Sequence, residues 1–190
     1  MLDEATRLVE LYCDASEETR NRGRSWYREA KSAVRRIADE TGYSRSQVAA
    51  VMSITSPDAQ LKANIRWTRQ ACQNDGETAG RYPRDQLPKI RAALDSTKPG
   101  RYATGPKVQE FYRAIMGDPK ALVLDRWALR ACGLEYGRTA LRTARAAYEM
   151  AASATGETVR DFQAIVWIQL RESSSMDSIG RRHNRYCVTN

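Results

Sequence analysis

Apolar residues return along this chain at three- and four-residue intervals, and strand-like alternation is hard to find, so the pattern predicts an all-α protein. Leu2, Ala5, Leu8, Val9 and Tyr12 share one face of a first helix that reaches about Glu18. Trp26, Ala30, Ala33, Val34 and Ile37 line a second helix from Ser25 to Thr41, which Gly42 stops. Ser44-x-x-Gln47 has the form of a capping box and opens a third helix through Val48, Val51 and Met52. Ser56-Pro57 reads as the next start, with serine as cap and proline at the first helical position. Leu61, Ile65, Thr68 and Cys72 line the helix that follows.

Residues 74–83 read as a loop and are the expected junction of two helical lobes within a single domain spanning 1–190. A short helix is predicted from Leu87 to Leu94. A turn-rich stretch dense in Gly and Pro leads from it into a helix from Pro106 to Met116. Gly117-Asp118-Pro119 breaks that helix, and the apolar run Ala121 to Leu124 ends at Asp125, which opens a helix through Ala131. Further helices are expected from Thr139 to Ala154 and, after a second box-like Thr158-x-x-Asp161, to about Arg171. Residues 172–190 read as a basic polar tail carrying Arg181, Arg182, His183 and Arg185, available to phosphate or simply solvated.

The net charge of +8 adds a partner to this picture. Only six of the 31 basic residues are Lys, so the surplus is carried by Arg, whose planar fork matches phosphate oxygens. A polyanion is the expected partner. An anionic membrane surface would call for an amphipathic basic helix, and none is evident. No run approaches the length of a membrane span and no signal peptide opens the chain, which points to a soluble protein of the cytoplasm. Cys13, Cys72, Cys132 and Cys187 are scattered, with no C-x-x-C pair, and His183 is the single histidine. Cysteine-held zinc or iron–sulfur sites, Ser-His-Asp and Cys-His chemistry are therefore not expected, nor is any cofactor.

Candidate chemistry concentrates in residues 101–130. A glycine-containing turn feeds a helix whose first N–H groups can hold a phosphate, Lys107 sits just inside that helix, and Asp125 follows 18 residues later. Gly105-Pro106-Lys107-Val108 followed by Leu124-Asp125 resembles the hairpin, lysine and aspartate signature of the helix-hairpin-helix DNA glycosylase superfamily, the endonuclease III and 8-oxoguanine DNA glycosylase proteins. Phe162 to Trp167, with Leu170-Arg171, is similar to that family's last helix. Val48 to Asp58 is similar to its helix and loop that approach the DNA. The three segments follow one another along the chain in the family's order. Ala103 stands where the hairpin has its first glycine, and the four-cysteine loop of endonuclease III has no counterpart.

The resemblance implies a two-lobed fold with a cleft between the lobes and excision of a damaged or modified base flipped out of the duplex. Asp125 would stabilise the sugar cation and Lys107 would attack C1′ as an AP lyase does. Phe111 and Trp167 would sandwich the base, Gln163 would bond its edge, and Arg101, Thr104, Gly105 and Arg126 would grip the backbone. Two alternatives use the same residues differently. A bacteriophage-type enzyme of this fold would modify a base on DNA without cutting the strand. A helix-turn-helix protein reading DNA through Arg45, Ser46 and Gln47 would have no catalysis at all.

Overall fold

A computed structural model describes residues 2–77 and 84–183, with side chains up to Ser174 and from Asp85 in the second stretch. Among the described residues there are nine α-helices, two 3₁₀ turns and no strand, so the chain is all-α as expected. No described helix is long and apolar enough to cross a membrane. The helices are α1 (Leu2–Asp14), α2 (Glu17–Thr41), α3 (Arg45–Ile54), α4 (Leu61–Gln73), α5 (Leu87–Leu94), α6 (Pro106–Met116), α7 (Arg126–Ala131), α8 (Arg138–Thr155) and α9 (Val159–His183). The expected tail from 172 is therefore helical as far as His183, in continuation of α9. Arg185 and Cys187 lie outside the described residues, as do the side chains of Arg181, Arg182 and His183.

Two compact units divide the chain. One is Met1–Arg24 with Leu124–Asn190, the other Ser25–Val123. Of the expected junction at 74–83, the described part, 74–77, closes α4 inside the second unit. Gly76 takes φ +77, its N–H bonds to Ala71 O at 2.8 Å, and its Cα backs onto Ile90 and Arg91 of α5. Residues 78–83 lie outside the described residues.

The first unit packs α1, α7, α8 and α9 together with the opening of α2. Its largest fully buried side chains are Tyr148 and Phe162 together with Leu8, Leu129 and Ile165, and alanines fill α8 around Tyr148. Tyr12 stacks on Phe162 at 5.4 Å between centroids, and Tyr148 meets Phe162 edge-on at 6.1 Å. Ala144, Ala147, Ala151 and Ala152 are the other buried residues of α8. Each large side chain buried here contributes roughly 1.5–3 kcal/mol. The start of α2 differs from the sequence expectation. Ser16 Oγ accepts the Thr19 N–H at 3.1 Å, a cap that ends the first helix early and begins the second at Glu17. Glu157 then ties these pieces together, accepting from Tyr12 Oη at 3.0 Å and from Arg24 Nε at 2.9 Å.

The second unit is built around α3. Every residue from Val48 to Ile54 is buried, against α4, α5, α6 and the 3₁₀ turn Pro99–Tyr102. The Ser44–Gln47 capping box forms as the sequence indicates. The start at Ser56-Pro57 does not. Ser56 Oγ donates back to Ser53 O at 2.8 Å, Asp58 takes φ +54, and α4 begins only at Leu61. Thr55, Asn64 and Thr68 form a buried polar cluster at this corner. Thr55 Oγ1 donates to Asn64 Oδ1 at 2.6 Å, and Asn64 Nδ2 donates to Met52 O at 3.0 Å. The cluster satisfies the carbonyls at the end of α3 and fixes the loop that follows.

Candidate functional site

In the second unit the stretch from Pro99 to Gly105 turns directly into α6, and the turn is made in an unexpected way. The 3₁₀ turn Pro99–Tyr102 ends at Ala103, whose φ of −73° and ψ of 67° are those of an inverse γ-turn. The Thr104 N–H closes that turn on Tyr102 O at 2.8 Å. An ordinary L-residue adopts this conformation, so Ala103 needs no glycine. Gly105 does: its φ of +92° and ψ of 146° fall where essentially only glycine is found. Pro106 then occupies the first position of α6 with its φ already helical, and Lys107 follows, half-buried. Gly100 lets the turn lie against α6. A Cβ there would stand 2.7 Å from Tyr112 Cε1.

Beside the turn lies a pocket of about 340 Å³ lined by Ile54, Pro57, Gln86, Lys89, Tyr102, Thr104 and Val108. It brings the 48–58 segment and the turn to one place, within the size range of small-ligand sites. Gln86, Lys89 and Tyr102 were not among the expected site residues. Gln86 and Lys89 come from a separate turn and helix, Tyr102 from the turn itself, and no local spacing announces them. Thr104 lines the pocket and is exposed, as are Arg101 and Gly105.

Phe111 has a different setting. It is buried, with its ring 5.7 Å from that of Trp26 and 6.3 Å from that of Tyr27. Those partners make it a core ring of the second unit. The next face of α6 holds the connection to residue 123. Glu110 Oε2 accepts the Leu122 N–H at 2.9 Å and Glu110 Oε1 accepts from Arg113 Nη1 at 2.8 Å. Arg113 Nε also donates to Asp118 Oδ2 at 3.0 Å. The Lys120 N–H and Arg113 hold the Asp118 carboxyl below its usual range.

In the first unit Asp125 is the N-cap of α7. Its Oδ1 accepts both the Trp127 and Ala128 N–H groups at 2.9 Å. The cap uses one carboxylate oxygen and orients the group along the helix start. Arg126 is exposed on the first turn of α7. α9 packs beside it and carries Gln163, 5% exposed, and Trp167, half-buried. The Arg171 guanidinium lies over the Trp167 ring at 4.6 Å, so one face of that ring meets a cation.

The family whose model matches this chain, over residues 3–174, is described as "Family of unknown function (DUF7178)". The chain belongs to this family. No curated protein matches it, and no solved structure does. The matched stretch contains every candidate residue from Arg101 to Trp167.

The helix-turn-helix alternative meets a physical obstacle in α3. A reading helix needs a face to lay in the groove, and α3 is buried from Val48 to its end. Gln47 is committed to the capping box and to Leu94 O. Among the described residues no group of three or more His, Cys, Asp or Glu side chains is placed to hold a metal. The described cysteines Cys13, Cys72 and Cys132 carry free thiols.

Proposed function

We propose that the chain is a DNA-directed enzyme of the helix-hairpin-helix glycosylase type, acting at the sugar–base bond of an extruded nucleotide. The observation that carries this reading is the pairing of two local geometries with the expected spacing. A turn of Gly105, Pro106 and Lys107 opens α6, and the carboxylate of Asp125 caps α7 18 residues later. The net charge of +8 supports a polyanionic substrate.

In this reading the Asp125 carboxylate stabilises positive charge as the base departs from C1′. The Lys107 amine, in its neutral form, adds to C1′ of the opened sugar, and loss of water leaves an imine between Nζ and C1′. Thr104, Gly105 and Arg101 hold the backbone of the strand near Lys107, and Arg126 does so near Asp125. Gln163 and Trp167 face the base. The buried setting of Phe111 supports a role in seating α6 beneath Lys107.

The test is borohydride trapping on a duplex bearing one abasic site. Hydride reduces the imine to a stable secondary amine, giving a covalent protein–DNA adduct. The adduct is expected with the natural protein, and Lys107→Gln should abolish it. Absence of an adduct while the natural protein still binds the duplex removes Lys107 as nucleophile. Screening the same protein for base release and for mass change of modified bases then separates excision by Asp125 from base modification.

A further inference from the structure

We propose that the face of the first unit made by α7, the turn at 133–137 and the start of α8 binds single-stranded nucleic acid, stacking bases on Tyr136 and Trp127 and pairing phosphates with Arg130, Arg138 and Arg142. This rests on the nucleic-acid half of the proposed function and is independent of chemistry at Lys107 or Asp125.

The first argument comes from the rings. Tyr136 is 72% exposed. The turn that carries it closes without it, through Gly133 at φ +73 and the Leu134 N–H bonded to Leu129 O at 2.9 Å. An aromatic ring left in water by the fold is available to stack on a base. Trp127, half-buried on α7, has the Arg130 guanidinium 5.4 Å from its centroid and that of Arg171 at 5.7 Å. Arg171 reaches from α9, so it alone accounts for a cation–π link between the two helices. Arg130 does not serve that link. It comes from the same helix as Trp127, is exposed, and adds a second cation to one indole.

The second argument comes from charge. Between residues 126 and 142 there are four Arg and one acid, Glu135. Arg130, Arg138 and Arg142 are all exposed and make no ion pair among the described residues. Arg138 and Arg142 stand one turn apart on α8, and α7 packs against α8. Like charges gathered at a surface repel one another and favour an anionic partner. Rings interleaved with cations match the alternation of bases and phosphates along a strand. An acidic protein segment would engage the arginines and leave Tyr136 idle.

The experiment is fluorescence anisotropy with a labelled oligothymidylate of about 12 nucleotides, titrated with the natural chain and with exposed-site variants whose folding is checked by circular dichroism. Tyr136→Ala is expected to weaken binding roughly ten-fold at fixed salt and leave the salt dependence unchanged. Arg130→Gln and the pair Arg138→Gln, Arg142→Gln should flatten the log–log salt dependence by about 0.7 for each phosphate no longer paired with an arginine. Polyglutamate should fail to displace the strand. Variants that bind within a factor of about two of the natural chain, or displacement by polyglutamate with Tyr136→Ala unaffected, overturn the proposal. If the natural chain binds no nucleic acid, the proposal and the proposed function fall together. If strand binding follows the variants but no adduct forms in the borohydride assay, only the chemistry at Lys107 falls.

Discussion

Both capping N–H groups of α7 converge on Oδ1 of Asp125, so two substitutions there separate folding from chemistry. Asp125→Ala removes the cap and should cost about 1 kcal/mol in urea unfolding. Asp125→Asn keeps an acceptor oxygen, should cost less than half of that, and should still lose turnover on a base-containing duplex. An asparagine variant as active as the natural chain would remove the carboxylate from the chemistry. The turn before α6 allows a similar contrast. Gly105→Ala places a Cβ at φ +92 and ψ 146, and about 1–3 kcal/mol of stability should be lost although nothing crowds the site. Ala103→Gly, which restores the glycine of the resembled hairpin, should instead lower stability by about 0.5–1 kcal/mol. Its φ of −73° gains nothing from glycine, and the unfolded chain becomes more flexible. A stabilising Ala103→Gly would mean that the inverse γ-turn is strained.

Among the elements, α2 shows what the pattern of apolar positions can and cannot reveal. Its later turns carry the stripe from Trp26 to Ile37 and were legible. Its opening, Glu17 to Arg24, has no apolar stripe and holds Gly23, a poor helix former. That glycine instead marks a close approach of two helices. A Cβ would stand 2.3 Å from Ile165 Cγ1 and 2.7 Å from Ile165 Cα on α9. Gly23→Ala should therefore cost about 1–3 kcal/mol in thermal or urea unfolding. Truncating Ile165 to Ala in the same chain should fail to restore it, because the backbone Cα remains. Full recovery in the double variant would show that only the Ile165 side chain is in the way. Capping boxes carry their meaning in four residues, so Ser44–Gln47 was legible. At Thr158 only half of the expected box forms: its Oγ1 accepts the Asp161 N–H at 3.1 Å, while the Asp161 carboxylate pairs with Arg160. The false start at Ser56-Pro57 turns on Asp58 at φ +54 and on the buried Thr55–Asn64 bond, which spans nine residues. The helix starts that carry Lys107 and Asp125 were legible because each is written in a few neighbouring residues. Gln86, Lys89 and Tyr102 were not, because only the folded second unit gathers them around one pocket.

Over the whole molecule, the basic surplus and the buried acids respond to pH in opposite senses. Toward pH 9.5, the isoelectric point, the repulsion of +8 net charges fades, and charge balance alone predicts a chain that grows more stable. The buried groups predict the reverse just above pH 9. Burial pushes the Cys72 and Cys132 thiols up to about 12 from 9.0. The hydrogen bond that Tyr43 Oη donates to Asp75 at 2.6 Å, with burial adding to it, pushes the phenol up to about 12 from 10.0. Burial also raises Tyr148 well above its usual value. In each case the folded chain keeps a proton that the unfolded chain gives up. Their contribution is complete below pH 9 and is lost progressively as pH rises toward 12. Urea midpoints measured across this range should fall from pH 9 upward, and the fall should be shallower in the Cys72→Ala, Cys132→Ala double variant. Iodoacetamide at pH 8 should meanwhile label exposed Cys13 in the native protein and reach Cys72 and Cys132 only on unfolding. An identical alkaline slope in the double variant would place the loss elsewhere, with Tyr43 the next group to test through Asp75→Asn. That substitution removes the charge that holds the phenol proton, so the loss that Tyr43 contributes between pH 10 and pH 12 should shrink and the alkaline fall there should become shallower.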